Sequence, residues 1–287
     1  MTPDQTLNSE YISFSYNESQ YTTDRHDLHC HNFYEIYFFM EGEVDYLVEG
    51  QLYRPTPGSL LLLSPNVFHG VRIVKNQTYR RISVHFHPDI LTPHRRAVLL
   101  SAFPHPQDLH RRQIFYENTD QFSLEFFFTS LMDCLNMPEH LQASLLPIRT
   151  EALLSQIINM TETLSPTSGE LSAASLSHII PEMIRYINNH LTDDITLDLL
   201  SARFFISKHH LNKIFRKATG TTVIDYLLHK RIAAAQQLLI EGASAQTACH
   251  QTGFRDYSSF YRSYTRILGH TPLQDRGVRP SFTHKRP

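Results

Sequence analysis

Two stretches near the C-terminus repeat a single unit: LDLLSARFFISKHHLNKIFRKATG at residues 197–220 and SAQTACHQTGFRDYSSFYRSYTRILG at 244–269. Each reads as a short helix, a tight turn at a cap-forming residue, and a second helix with basic and amide side chains along one side. That is the outline of a helix-turn-helix, whose second helix fits the major groove. In the first unit Leu211, Ile214 and Phe215 form the apolar stripe, leaving His209, Asn212, Lys213 and Arg216 opposite. In the second, Phe260, Tyr264 and Leu268 form it, leaving Tyr257, Ser258, Tyr261, Arg262 and Arg266 outward. Arginine and lysine can contact guanine edges or phosphates, and asparagine can pair with adenine through both of its amide atoms.

The punctuation around these units is consistent. Thr196 can begin the first helix, Ser207 can cap the second, and Gly220 can end it. Residues 223–240 read as one amphipathic helix stopped at Gly242. Ser244 starts the next, Gly253 ends it, and Asp256 or Ser258 opens the last long one. A linking helix of about 18 residues spans roughly 27 Å, enough to set two recognition helices about one DNA turn apart. One basic amphipathic helix alone is more often a solvated face than a DNA reader.

This region resembles the AraC/XylS regulators over residues 178–278. The resemblance rests on IS-x3-L-x-K-x-F-R-K-x2-G (206–220), Tyr226 and Arg231, Gln237-Leu-Leu, GF-x-D-x-S-x-F-x-R-x-Y (253–264), and Gly269-His-Thr-Pro272. It implies two recognition helices in successive major grooves. Carried over by position, His209, Asn212 and Lys213 would face bases, as would Tyr257, Ser258 and Arg262, with Ser207, Arg216 and Arg266 completing the DNA-binding set. The pattern departs in the second unit, where Ala245, Ala248 and Cys249 replace larger apolar residues. Smaller side chains bury less area, so this unit is expected to be the less stable one.

From Tyr34 to Phe86 the pattern changes to short strands and turns. FYEIYFFM is aromatic and branched; Val44, Tyr46 and Val48 alternate with Glu43, Asp45 and Glu49; Leu60–Leu63 looks buried; Ile82, Val84 and Phe86 alternate with Arg81, Ser83 and His85. Such spacing without intervening helices reads as a barrel or sandwich. Within it, His29 and His31 stand two apart and so point to one side of a strand, with Glu35 on the same face. HxHx3Ex6G, ending at Gly42, matches the first cupin motif; of the second, Gly58 and His69 are kept, while its Pro, second Gly and Asn are replaced, although Asn66 tolerates the same left-handed backbone. Residues 25–90 thus resemble the cupin sensory domain found ahead of many AraC-type DNA-binding domains.

That resemblance implies a small-molecule effector held by His29, His31, Glu35 and His69. Three imidazoles and a carboxylate could equally hold a transition metal, or the histidines could be structural; the expectation is a polar effector pocket with no metal or cofactor. His85 and His87 read as ordinary strand residues. Tyr34, Tyr37 and Tyr46 read as core or dimer surface.

Segments 121–136 and 144–160 carry apolar residues at helical spacing, with Leu146, Leu153, Ile157 and Leu164 near one face. They suit either a dimer interface, the favoured reading, or a core facing the barrel. SPTSGELSAAS (165–175) reads as linker.

Charge supports the division. Residues 1–177 hold 11 Lys+Arg against 20 Asp+Glu, whereas 178–287 hold 15 against 8. A basic C-terminal region on an acidic N-terminal one suggests that only the former meets a polyanion. Three scattered cysteines, Cys30, Cys134 and Cys249, fit a reduced cytoplasm. Neither a signal peptide nor a membrane span is expected. No catalytic triad or phosphate-cradling loop is evident among ten glycines.

The sequence therefore predicts a two-domain protein. A cupin-like β-barrel with following helices occupies 1–162, a linker 163–176, an all-α double helix-turn-helix domain 177–280, and a basic tail 281–287. The expected role is a cytoplasmic, effector-responsive regulator of transcription, more an activator than a repressor. Its partners would be double-stranded DNA, a small effector, a second copy of the chain and RNA polymerase, with no membrane. The alternative is a metal-dependent cupin enzyme fused to a DNA-binding module.

Overall fold

The structure is a computed structural model that describes residues 5–20, 23, 28–74, 77–104, 113–164 and 179–278. Most of the expected linker, and the basic tail, lie outside the described residues. The described residues form nine strands, all in the N-terminal half: β1 (Gln5–Asn8), β2 (Ile12–Ser19), β3 (Tyr34–Glu41), β4 (Val44–Val48), β5 (Gln51–Tyr53), β6 (Ser59–Leu63), β7 (His69–Ile73), β8 (Tyr79–Phe86) and β9 (Phe115–Tyr116). Six form one sheet in the order β1-β2-β8-β3-β6-β9, and three form a second in the order β5-β4-β7, all antiparallel.

Period-two alternation sends the two sides of the larger sheet into different cores. Ile36, Phe38, Leu60, Leu62, Ile82, Val84 and Phe86 face outward and pack with the helices that follow. Tyr37, Phe39, Leu61, Leu63 and Tyr79 face inward, toward Val44, Tyr46 and Val48 of the small sheet. The apolar side of β8 is thus the outside of the barrel. Its alternate residues, Arg81, Ser83 and His85, look inward.

Three helices cover the outer face: α1 (Arg96–Leu99), α2 (Leu124–Met132) and α3 (Glu139–Thr163). Phe128 of α2 stacks on Phe38 with ring centroids 4.9 Å apart. Leu146, Leu153, Leu154, Ile157 and Met160 of α3 share that core. The stripe favoured as a dimer surface is therefore an intramolecular core, because the outer sheet face is too apolar to leave in water. Val98 of α1, Phe126 of α2, and Leu141 and Ile148 of α3 are the large apolar residues these helices leave exposed.

Two charged residues that alternate with the apolar side of β4, Asp45 and Glu49, are themselves buried, at 4% and 3% exposure. Asp45 is held by Arg54 at 3.1 Å and by Arg72, and Glu49 by a lysine of the C-terminal domain. A buried carboxylate persists only when paired in this way.

The C-terminal domain comprises α4 (Ile179–Asn189), α5 (Leu197–Phe204), α6 (Lys208–Thr219), α7 (Val223–Ile240), α8 (Ala245–Gln251), α9 (Tyr257–Leu268) and α10 (Pro272–Asp275). The expected capping holds throughout. Thr196, Ser207, Ser244 and Asp256 each accept a backbone N–H of the helix they open, and Gly220 and Gly269 close α6 and α9 in the left-handed conformation.

Helix α7 serves both units. Val223, Tyr226 and Leu227 enter the first core, with Leu211 and Phe215. Ile232, Ala235 and Leu239 enter the second, with Phe260 and Tyr264. Between them Arg231 donates to the carbonyls of Leu191 and Asp193 at 2.7 and 2.6 Å, fixing the loop after α4. The second unit is closed by fully buried Asp275, whose Oδ2 meets Gln236 Nε2, the Tyr264 hydroxyl and His270 Nε2 at 2.9, 2.5 and 2.6 Å.

Candidate functional site

The side chains expected to read DNA stand on α6 and α9. Helix α6 turns Leu211, Phe215 and Ala218 inward, which leaves His209, Lys213 and Arg216 exposed. Ser207 is exposed at its N-terminus, its hydroxyl accepting from His210 N at 3.4 Å. Helix α9 buries Phe260 and Tyr264, which leaves Tyr257, Ser258, Tyr261, Arg262 and Arg266 exposed. Arg262 Nη2 rests 3.4 Å from Ser259 Oγ, close to its own helix.

Asn212 is placed differently from expectation. It is half-buried, and its Oδ1 accepts from Val223 N at 3.3 Å, tying α6 to the start of α7. Two-pronged adenine pairing needs both the carbonyl and the amide of asparagine. One of the two is already engaged.

The second site lies inside the barrel. Glu35 on β3 is the cross-strand partner of His85 on β8. His31 Nε2, His69 Nε2 and His85 Nε2 lie 3.1, 3.0 and 3.3 Å from Glu35 Oε2. His29 joins this group through its ring, 4.5 Å from that of His69, and through an isolated bridge with His69. The expected His29, His31, Glu35 and His69 therefore come together as predicted. His85, expected to be an ordinary strand residue, joins them because β3 and β8 are neighbours. Only its inward parity in RISVHF could have signalled this.

The electrostatics follow from burial and proximity. Burial opposes ionisation of Glu35, but the imidazoles of His85 and His69 and the hydrogen bond from His31 outweigh it, holding the carboxyl well below its usual range. Burial dominates at His31 and lowers it to about 4, against the pull of Glu35. At His69 burial also acts downward, yet the charge of Glu35 prevails and its pKa is raised. So one imidazole is kept neutral and another favours its proton. Aromatic side chains and one arginine lie beside the cluster. Tyr46 lies parallel to His69 at 6.3 Å, the Tyr37 and Tyr79 hydroxyls are 2.9 Å apart, and Arg81 sits over the Tyr79 ring at 4.9 Å.

Two sets of groups here have ligand atoms close enough to share one cation: His29, His31 and His69, and His31, Glu35 and His85. His31 Nδ1 is buried with no hydrogen-bond partner. Imidazole nitrogens with one carboxylate suit zinc, iron, manganese or nickel. The residues fit a metal as well as a small polar ligand.

Comparison with known proteins agrees with both halves. The family described as AraC-like ligand binding domain matches residues 11–125, and that described as helix-turn-helix domain matches residues 200–277. The uncharacterized HTH-type transcriptional regulator YbfI of Bacillus subtilis is 26% identical over 231 residues, 80% of this chain and 79% of that protein. The HTH-type transcriptional activator RhaR of Salmonella dublin is 30% identical over 127 residues, 44% of this chain and 45% of that protein.

Among solved structures, the C-terminal domain of the response regulator yesN from Fusobacterium nucleatum covers 35% of this chain and is itself covered to 99%, at 30% identity and a TM-score of 0.34. The DNA-binding domain of AdpA, solved with a target DNA, covers 33% of this chain and is covered to 87%, at 27% identity and a TM-score of 0.32. With a ligand-binding domain of that kind at 11–125 and a helix-turn-helix domain at 200–277, the chain belongs to the AraC family of transcriptional regulators.

Proposed function

We propose that the chain binds two successive major grooves through α6 and α9, and that a small polar effector in the barrel controls this binding. The observation that carries the DNA reading is the likeness of the two helices. Each opens on a capping oxygen, Ser207 or Asp256, and each turns basic side chains outward over a buried apolar stripe. On this reading Ser207, His209, Lys213, Arg216, Tyr257, Ser258, Arg262 and Arg266 meet the duplex. Asn212 acts mainly as a strut. His29, His31, Glu35 and His69 hold the effector, with His85, Tyr46 and Arg81 beside them.

A second copy would double the contacts and raise avidity. The exposed Phe126, Leu141 and Ile148 offer its surface. Activation through RNA polymerase, in the cytoplasm where the promoter lies, is the mode we assign. RhaR, a relative over less than half its length, is named as an activator.

Selection of bound duplexes from a random pool by the full chain tests the DNA reading. The expected result is an enriched pair of half-sites one helical turn apart, with affinity falling steeply as salt rises. A pool without enrichment would overturn it.

A second reading is favoured by the unpartnered His31 Nδ1: the barrel holds a transition metal, and with it a cupin-type catalytic activity. Elemental analysis of protein purified without chelator distinguishes the two. Stoichiometric metal that is lost in His31→Ala would support the metal centre, and its absence would leave the effector pocket.

A further inference from the structure

The two domains meet over a buried charge cluster. Glu49, in the turn between β4 and β5, is 3% exposed, and Lys230 of α7 is 5% exposed. Lys230 Nζ donates to Glu49 Oε1 at 2.6 Å and to the Asn66 carbonyl at 2.7 Å. The Tyr226 hydroxyl donates to Glu49 Oε2. The turn is shaped for this contact. Glu49 has φ 45, in the left-handed region. Gly50 follows at φ 81, and a Cβ there would come within 2.7 Å of Ile184 on α4.

One stretch, residues 66–69, touches both this cluster and the histidine site. Asn66 N donates to the His31 carbonyl at 2.7 Å, while its own carbonyl accepts from Lys230. The Val67 carbonyl lies 2.9 Å from His69 Nδ1. Phe68 N donates to Glu49 Oε1 at 2.7 Å, its carbonyl accepts from Glu49 N at 2.8 Å, and its ring lies 5.2 Å from that of Tyr226. His69 places its ring beside Glu35 and pairs with His29 through both backbone groups. Asn66 sits at φ 64, the left-handed turn its side chain tolerates.

We propose that residues 66–69 are a lever between the barrel site and the DNA-binding domain, locked by the Glu49–Lys230 pair. Any occupant that moves His31 or His69 moves the Asn66 carbonyl and the Phe68 amide, the two backbone groups that fix Lys230 and Glu49. A buried ion pair is poorly tolerant of such movement, since separating it leaves uncompensated charge in a low-dielectric site. Docking of α7 therefore depends on the state of the histidine site, and by linkage the reverse also holds. The proposal rests on the reading of that site as the place where the effector binds.

The chain contains its own reporter. Cys30 packs against the interdomain cluster, whereas Cys134 and Cys249 are fully buried in the barrel–helix core and the second helix-turn-helix core. Site-resolved alkylation of the full chain by iodoacetamide, at fixed pH, reads docking without effector or DNA. Lys230→Gln is expected to speed modification of Cys30 by about tenfold while Cys134 and Cys249 keep their rates, as local opening requires. His69→Gln, on the far side of the lever, is expected to speed Cys30 severalfold with the same selectivity.

No change at Cys30 in Lys230→Gln overturns the lock. A response to Lys230→Gln with none to His69→Gln overturns the lever. If Lys230→Gln speeds all three thiols, the milder Tyr226→Phe is read in its place, and its effect on Cys30 alone decides. Failure of the regulator reading would show in duplex selection and not in these rates.

Discussion

Glu35 and His85 face each other across neighbouring strands, with His85 Nε2 3.3 Å from Glu35 Oε2 and the carboxylate only 5% exposed. One buried anion thus collects three imidazoles from three strands or loops. Glu35→Gln keeps the shape and removes the charge. Breaking a buried charged cluster costs about 3–5 kcal/mol, so the variant should unfold at markedly lower urea. A midpoint unchanged from that of the parent chain would show that the anion does not organise the barrel.

Acid should destabilise the barrel through His31. In the folded chain its pKa is lowered to about 4, chiefly by burial, against the ordinary histidine value of 6.5. Between those values the unfolded chain binds the proton and the folded chain does not. The contribution is therefore complete above about pH 6.5 and lost as pH falls toward 4. At about 1.4 kcal/mol per pKa unit this is on the order of 3 kcal/mol. His69, whose pKa is raised, acts in the opposite sense, gaining stability as pH falls through its folded value. Thermal melts at pH 7 and pH 5, in buffer with a chelator, should show a drop that is smaller in His31→Gln. An equal drop in both proteins would exclude His31 as its source.

On the DNA face, Lys213→Ala and Arg262→Ala should each weaken specific binding by about 1–3 kcal/mol if they meet bases. Asn212→Ala should behave differently. Its Oδ1 holds the start of α7, so stability should fall while base preference persists. Anisotropy titrations on selected and scrambled duplexes separate the cases. Relaxed specificity in Asn212→Ala would restore it to the reading face.

The second unit should open more readily than the first. Helix α8 supplies only Ala248 and Cys249 as buried residues, with Ala245 partly buried. Each large-to-small position forgoes roughly 1–3 kcal/mol of apolar burial. Amide exchange on the DNA-free chain should be faster in α8 and α9 than in α5 and α6. Uniform protection would refute this.

The helix-turn-helix pair was legible because its signals are local. A capping oxygen at Ser207, Ser244 or Asp256 acts on amides three residues away, and left-handed glycines at 220 and 269 act on the turn just before them. The barrel strands were legible as strands, since alternation is also local. Which side of each strand faced inward was not. Ile82, Val84 and Phe86 look like an interior face, yet helices α2 and α3 cover them from outside. The stripe on α3 was visible, but whether it met a second chain or this chain's own sheet depended on where the sheet lay.

The order of residues alone determined the two-domain plan, the helix ends, the exposed polar faces of α6 and α9 and the His29–His31–Glu35 run, because each depends on neighbours within about one helical turn or one hairpin. The tertiary structure decided that His85 joins Glu35, that Asn212 braces α7, and that Glu49 meets Lys230 across 181 residues of chain. Those pairings depend on which elements pack together, and a charged residue on a strand or helix carries no mark of its partner until burial forces it to find one.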